Sequence, residues 1–223
     1  MKKKVVNKII SFILVVSVFI CATCAMPTVE ADAAVSARKL LSSALKVMKS
    51  YDKITYKYDM SRNIDGEIGS RRGICMSDDA IDYGFLYDYS QSQGCWEEYD
   101  KGKYIYRRRL ISNKWDIYKE AYELISTKND LEYMLGHLKK AKIVSISTSS
   151  YTISAVPNYS SDIKSVRIVI DKKKKCVTGI KCVYKTYRDT YLNSSNTYLV
   201  KNQVIKYTHI SYGRGRLHMP AGM

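Results

Sequence analysis

From Ile54 onward the apolar residues of this chain recur at every second position, in short runs separated by turn-forming residues. This feature constrains the fold most. A period of two places apolar side chains on one face of an extended strand, and a helix cannot bury such a pattern. Ile54, Tyr56, Tyr58 and Met60 alternate with Thr55, Lys57 and Asp59, and Ile68, Ile74 and Met76 continue beyond an Asp65-Gly66 turn signal. Ile81, Tyr83, Phe85, Tyr87 and Tyr89 give the clearest alternation, opposed by Asp82, Gly84 and Asp88. Residues 95–99, 103–108 and 114–118 read as further strands, with Lys101-Gly102 between the first two, and strands resume at 143–147, 151–156, 163–170, 176–187 and 198–211. Lys172 to Lys175 form the turn of a hairpin, where a charge run is solvated and protects a sheet edge. Residues 193–196 read as a loop.

The period changes to three and four in two places. Over residues 35–51, Ala37, Leu41, Ala44, Leu45, Met48 and Tyr51 form one stripe, with Arg38, Lys39, Lys46 and Lys49 largely off it. Thr127 and Asp130 have the spacing of a capping box and introduce Leu131, Met134, Leu135 and Leu138. That helix is expected to end among Lys139, Lys140 and Lys142, where positive charge suits a helix C-terminus. Residues 120–125 read as a further helical turn. The sum is an α+β domain with an antiparallel meander of roughly ten strands. Collagen-like, coiled-coil and multi-span membrane folds are excluded.

Residues 1–33 read as a secretory signal peptide: Lys2, Lys3, Lys4 and Lys8, an apolar run over residues 9–26, then Pro27 and small-residue triplets ending at Ala31 and Ala33. The alternative is an uncleaved N-terminal anchor. Thr23 before Cys24 argues against a lipid anchor, since such signals want Gly, Ala or Ser there. Cleavage leaves one domain over residues 34–223, secreted or associated with the cell envelope. It would also lower the net charge from +16 to +14, because four lysines and two acids leave with the leader. So basic an exported protein favours an anionic membrane surface or wall polymer as partner, and not nucleic acid.

Four cysteines remain: Cys75, Cys95, Cys176 and Cys182. Cys176 and Cys182 lie six residues apart in one expected strand, roughly 20 Å, too far to bond each other. Two cross-pairings, a lone Cys75–Cys95 bond and four free thiols stay open. With no C-x-x-C among these four, no metal site is expected, and no cofactor motif is present.

Catalytic chemistry is sparse. His137, His209 and His218 stand apart in sequence, and no nucleophile or metalloprotease motif accompanies them. Glu97 and Glu98 are neighbours in a strand, so they face opposite sides and cannot form an acid–base pair. Asp78-Asp79 is read as a turn signal, and Cys95 has no basic neighbour to activate it. An extracellular hydrolase is therefore the least favoured function, and no enzyme is expected. The aromatic composition is more informative. Residues 34–223 hold twenty Tyr and two Trp but one Phe, Phe85. Tyr joins an apolar ring to a hydroxyl that wants a partner or water. Such rings suit either an exposed sheet or an aromatic-lined groove for an amphiphile.

The stretch from Leu40 to Ile54, Tyr151-Thr-Ile-Ser-Ala-Val156, Val166-Arg-Ile-Val-Ile-Asp171 with its lysine turn and Ile180, and Leu217-His-Met-Pro220 fall in an order that resembles the LolA-like superfamily. That superfamily comprises lipoprotein carriers and LppX-type lipid-binding lipoproteins. The resemblance implies a strongly curved sheet or half-barrel wrapping the N-terminal helix and one or two short helices, with an apolar cavity for acyl chains. The ligand-lining candidates under that reading are Tyr56, Tyr58, Met76, Tyr83, Phe85, Tyr87, Trp96, Tyr104, Tyr106, Trp115, Ile168 and Ile170. The expected function is a non-enzymatic lipid- or amphiphile-binding protein. The alternative is a basic envelope-interaction module with a filled core and no small ligand.

Overall fold

The apolar stripe over residues 35–51 forms helix α1, Ala37–Lys49, which buries Ala37, Leu41, Ala44 and Met48. Six strands follow: β1 (Lys53–Ile64), β2 (Glu67–Ser77), β3 (Asp82–Asp88), β4 (Gly94–Lys101), β5 (Tyr104–Arg109) and β6 (Trp115–Lys119). Helix α2 (Lys128–Gly136) precedes β7 (Leu138–Ile146), β8 (Ser150–Pro157), β9 (Ile163–Asp171), β10 (Val177–Tyr184), β11 (Tyr187–Thr190) and β12 (Thr197–Gly213). This computed structural model describes residues 36–88, 94–102, 104–109, 114–119, 127–159, 161–190 and 197–220. The expected leader, the helical turn at 120–125 and the loop at 193–196 lie outside the described residues. Met1–Ser36 and Ala37–Met223 separate as two units, and every helix and strand named above belongs to the second.

All the strand pairs are antiparallel, in one twelve-stranded sheet ordered β6-β5-β4-β3-β2-β1-β12-β10-β9-β8-β7, with β11 paired to β12. Two meanders, β1–β6 and β7–β10, are thus joined where β12 runs between β1 and β10. The sheet is curved and does not close, an α+β half-barrel as expected. Three of the register breaks among the described strands help to bend it. Each carries a non-glycine residue with positive φ: Lys140 (53°) on β7, Asn202 (51°) and His209 (54°) on β12. An extra residue on one strand of a pair tightens the local twist and bends the strand. At the β1–β2 hairpin, Asp65 and Gly66 have φ of 48° and 104°, as a two-residue turn between twisted strands demands.

The core lies where α1 and α2 cover the sheet. Leu131, Met134 and Leu135 of α2 join the α1 stripe against Ile153, Val166, Ile168, Ile170, Ile180 and Cys182, all buried. Cys182 Sγ lies 3.7 Å from Met134 Sδ. Burying such aliphatic side chains contributes about 1.5–3 kcal/mol each. The capping box is present: Thr127 Oγ1 accepts from the Asp130 N–H, and Asp130 accepts from the Thr127 N–H.

Two boundaries differ from expectation. Helix α2 ends at Gly136, so Lys139, Lys140 and Lys142 begin β7 instead of closing a helix. His137 takes φ −116° and ψ 51° and donates its N–H back to Tyr133 and Met134, and its carbonyl accepts from Asn158, which turns the chain into the β7–β8 pair. The run 176–187 is also broken. β10 ends at Tyr184, the Lys185 N–H bonds the Asp162 carbonyl, and the chain re-enters as β11 against β12. All four cysteines are free thiols.

Candidate functional site

In an antiparallel pair, residues directly opposite share a face, so the register sorts every side chain of the sheet. One row runs Ile153, Ile168, Ile180, Tyr207, Tyr58, Gly73, Leu86, Trp96, Arg109, and its neighbour includes Tyr56, Cys75, Gly84, Glu98, Arg107. These rows face the helices, since Tyr56, Tyr58, Cys75, Leu86 and Trp96 belong to the buried cluster that contains α1 and α2. The opposite face carries the row Lys57, Ile74, Phe85, Glu97, Arg108, Trp115 and the row Thr55, Met76, Tyr83, Tyr99, Tyr106, Ile117. It also carries Arg72 and Tyr87.

The candidates read from the sequence therefore divide. Tyr56, Tyr58, Trp96, Ile168 and Ile170 are brought together on the helix side. Met76, Tyr83, Phe85, Tyr87, Tyr104, Tyr106 and Trp115 lie on the outer face. One groove cannot be lined by both sets.

On the helix side of β2–β5 the core stops being aliphatic. The Trp96 ring, 4 % exposed, has the Arg71 guanidinium 5.2 Å and the Arg107 guanidinium 5.7 Å from its centroid. Glu98 is fully buried, and its Oε2 accepts from Arg107 Nε at 2.7 Å and Nη2 at 2.6 Å. Burial raises the Glu98 carboxyl above the usual carboxylate range, and the charges of Arg107 and Arg71 offset part of that rise. Its other oxygen, Oε1, and the Trp96 indole N–H are both buried without a well-formed hydrogen bond, although the indole interacts with the carboxylate and helps to offset that rise. At Gly73 β2 and β3 leave no room for a side chain, because a Cβ there would meet the Phe85 carbonyl oxygen.

On the outer face, Tyr83 and Tyr99 have ring centroids 4.8 Å apart, Tyr99 and Trp115 5.8 Å, and Phe85 and Tyr87 5.2 Å. Arg108 lies 4.9 Å over the Trp115 ring and pairs with Glu97. The Tyr83 hydroxyl donates to Glu97 at 3.2 Å; burial and that carboxylate together push its ionisation upward. Ile74, Tyr87, Tyr104 and Ile117 are exposed, Ile117 by 62 %.

Sequence reasoning missed Arg71, Glu98 and Arg107, whose roles depend on neighbouring strands. It also undervalued Asp78, read as a turn signal. That side chain is buried. Its Oδ1 accepts the N–H groups of Ala80 and Ile81 at 2.7 and 2.8 Å, and its Oδ2 accepts the Leu217 N–H at 2.7 Å. The β2–β3 turn thereby holds the C-terminal segment. The same turn seats α2, because the Lys128 N–H donates to Ser77 Oγ and Lys128 Nζ pairs with Asp79 and Glu132. His137 stacks on Tyr133, whereas His209 sits exposed at a bulge and His218 exposed near the end of the chain. Glu97 and Glu98 do face opposite sides. Among the described residues no group of three or more His, Cys, Asp or Glu is placed to hold a metal.

No protein-family model matches the chain, and no curated protein matches it. Solved structures do. LppX, a lipoprotein of Mycobacterium tuberculosis, is 9 % identical with a TM-score of 0.49, covering 82 % of this chain and 99 % of its own. A LolA-superfamily protein of Nitrosomonas europaea is 12 % identical at TM-score 0.36, covering 82 % and 96 %. An outer membrane lipoprotein-sorting domain of Vibrio parahaemolyticus, described as putative, is 10 % identical at 0.35, covering 82 % and 95 %. The likeness to these proteins is one of arrangement, with no ligand or partner attached to it.

Proposed function

We propose that this chain is an exported, non-enzymatic binding protein of the cell envelope that holds a lipid or other amphiphile against the helix-side face of β1–β5. The observation that carries the reading is a buried polar cluster on an otherwise apolar face: the Trp96 indole and the Glu98 carboxylate interact with each other, but neither Trp96 Nε1 nor Glu98 Oε1 has a well-formed hydrogen bond, and two guanidiniums lie beside them. Buried polar groups are nearly always bonded, because an unmet donor or acceptor costs about 1–3 kcal/mol. A polar head group offering both a donor and an acceptor would meet these two atoms, and its apolar body would lie along Tyr58 and Leu86. Arg71, Arg107 and Arg109 are balanced by Glu98, Asp82 and Asp100 on the same face, so the site suits a neutral or zwitterionic head.

Trp96 and Trp115 are the two tryptophans of the chain. In a Trp115→Phe variant all indole emission comes from Trp96, and titration with oleate or dodecylphosphocholine is expected to shift it. Native mass spectrometry of the secreted protein is expected to show an adduct that solvent extraction removes. A bare polypeptide mass together with unchanged Trp96 emission under both amphiphiles would overturn the reading.

A further inference from the structure

We propose that the outer face of the sheet is a docking surface for an anionic lipid bilayer, with the aromatic platform on β2–β6 entering the interface and a basic row on β9, β10 and β12 drawing it there. The first observation is that row. Arg167 stands opposite Lys181, Lys181 opposite Lys206, and all three are exposed. Like charges directly opposite on adjacent strands destabilise a sheet, so three in succession oppose the fold's own stability. Continuing across the sheet, the row reaches Asp59 and Arg72, which pair at 3.7 Å. Lys206 lies two strands from Arg72, roughly 10 Å, so the charges reach the edge of the aromatic platform. Lys57 borders it as well, opposite the exposed Ile74.

The second observation is the type of the exposed apolar groups. Tyr and Trp, with an apolar ring and a polar tip, are the side chains that settle at the boundary of lipid and water. Here Tyr87 and Tyr104 are exposed, and Tyr83, Tyr99, Tyr106 and Trp115 are half-buried beside exposed Ile74 and Ile117. A contiguous apolar patch of this kind marks an interaction site. A soluble wall polymer would satisfy the basic row but leave the rings in water. An anionic bilayer answers both. Among the described residues no helix is long and apolar enough to cross a membrane.

The test is co-sedimentation of the full protein with phosphatidylcholine vesicles, with and without phosphatidylglycerol. Adsorption is expected only with phosphatidylglycerol and should weaken as salt rises. Each of Arg167→Gln, Lys181→Gln and Lys206→Gln should reduce partitioning by about fivefold, and the triple variant by about a hundredfold. Tyr87→Ser with Tyr104→Ser and Ile117→Ser should reduce it by about tenfold or more. These positions are exposed, so circular dichroism should stay near that of the parent; the melting temperature should stay near it in the aromatic variant and rise slightly in the triple charge variant, where like-charge repulsion is relieved. The Trp96 response to oleate should also survive in these variants, which separates this surface from the helix-side site. Equal adsorption to pure phosphatidylcholine overturns the proposal, as does salt-independent binding. So does an aromatic variant that binds as the parent does while soluble polyglycerol phosphate competes in full.

Discussion

The two arms of the sheet, β7–β10 and β2–β6, share one topology but place opposite chemistry on their faces. On the first arm the helix side is aliphatic and the outer side polar: Ile153, Val166, Ile168 and Ile170 lie beneath α1 and α2, while Thr152, Ser154, Arg167 and Lys181 point away. On the second, the helix side mixes Leu86 and Trp96 with Arg71, Glu98, Asp100 and Arg107, and the outer side carries rings. The first arm follows the rule for a one-sided sheet. The second departs from it on both faces, and its departures hold the buried ions and the exposed aromatics that need explaining.

The largest contrast should appear on truncation. Ile168→Ala, at a fully buried position of the aliphatic arm, is expected to cost about 4 kcal/mol in chemical denaturation. A loss below about 1 kcal/mol would mean the helices do not hold that arm tightly. On the other arm, Glu98→Ala strands Arg107 in a partly buried setting and should cost about 3 kcal/mol. Replacing both partners, Glu98→Leu with Arg107→Met, should recover most of that loss, because matched apolar residues avoid the desolvation of two ions. If the double variant is no better than the single, the ion pair itself stabilises the arm and the site cannot be a cost retained for binding.

Asp78 links the second arm to the end of the chain. Burial alone would raise its carboxyl, but the N–H groups of Leu217, Ala80 and Ile81 and the charge of Arg216 hold it below the ordinary 3.8. Its stabilisation is therefore present above the unfolded value and is lost as pH falls through the folded one. Asp78→Ala should cost about 2 kcal/mol at neutral pH and flatten the acid limb of the stability curve. Unaltered acid unfolding would show that the C-terminal segment is held by other contacts.

At alkaline pH the arms should behave alike. Burial pushes Cys75 on β2 and Cys182 on β10 from 9.0 to about 12, and Tyr58 from 10.0 to about 12. The unfolded chain loses these protons first, so stability falls as pH rises from about 9 to about 12. Cys182→Ala and Cys75→Ala should each reduce that slope, which circular dichroism at graded pH would show. A slope changed by only one of them would separate the arms.

How much of this was legible in the sequence follows from the same contrast. The period of two located the strands, and the Thr127 and Asp130 spacing located α2. Alternation says that a strand has two faces without saying which one is covered. Tyr83, Phe85 and Tyr87 make the clearest alternation and read as ligand-lining, yet the covered residues of β3 are Gly84 and Leu86, whose own parity is masked by the small Gly84 and the polar Asp82 and Asp88. Glu98 was invisible because a buried carboxylate is set by its partner, and Arg107 comes from the next strand. The row of Arg167, Lys181 and Lys206 spans three strands that are far apart in sequence, so only the register brings them together.

The smallest expected effect on stability is also the sharpest test of the contrast. If the outer rings serve binding and not folding, Tyr87→Ser, Tyr104→Ser and Ile117→Ser should each change unfolding free energy by less than about 0.5 kcal/mol, since exposed groups gain little further solvent contact on unfolding. The same cuts on the helix side, as in Tyr58→Ser or Leu86→Ala, remove buried groups and should cost several times more. Trp115 tests the boundary between the two classes, because its half-buried ring rests against Tyr99 and under Arg108. Trp115→Ser is expected to fall between them, near 1 kcal/mol, as a ring contact and a cation–π contact contribute about 0.5–1 kcal/mol apiece. A loss of several kcal/mol at Tyr87 or Tyr104 would make the platform part of a second core and remove the reason to regard it as a surface kept for a partner.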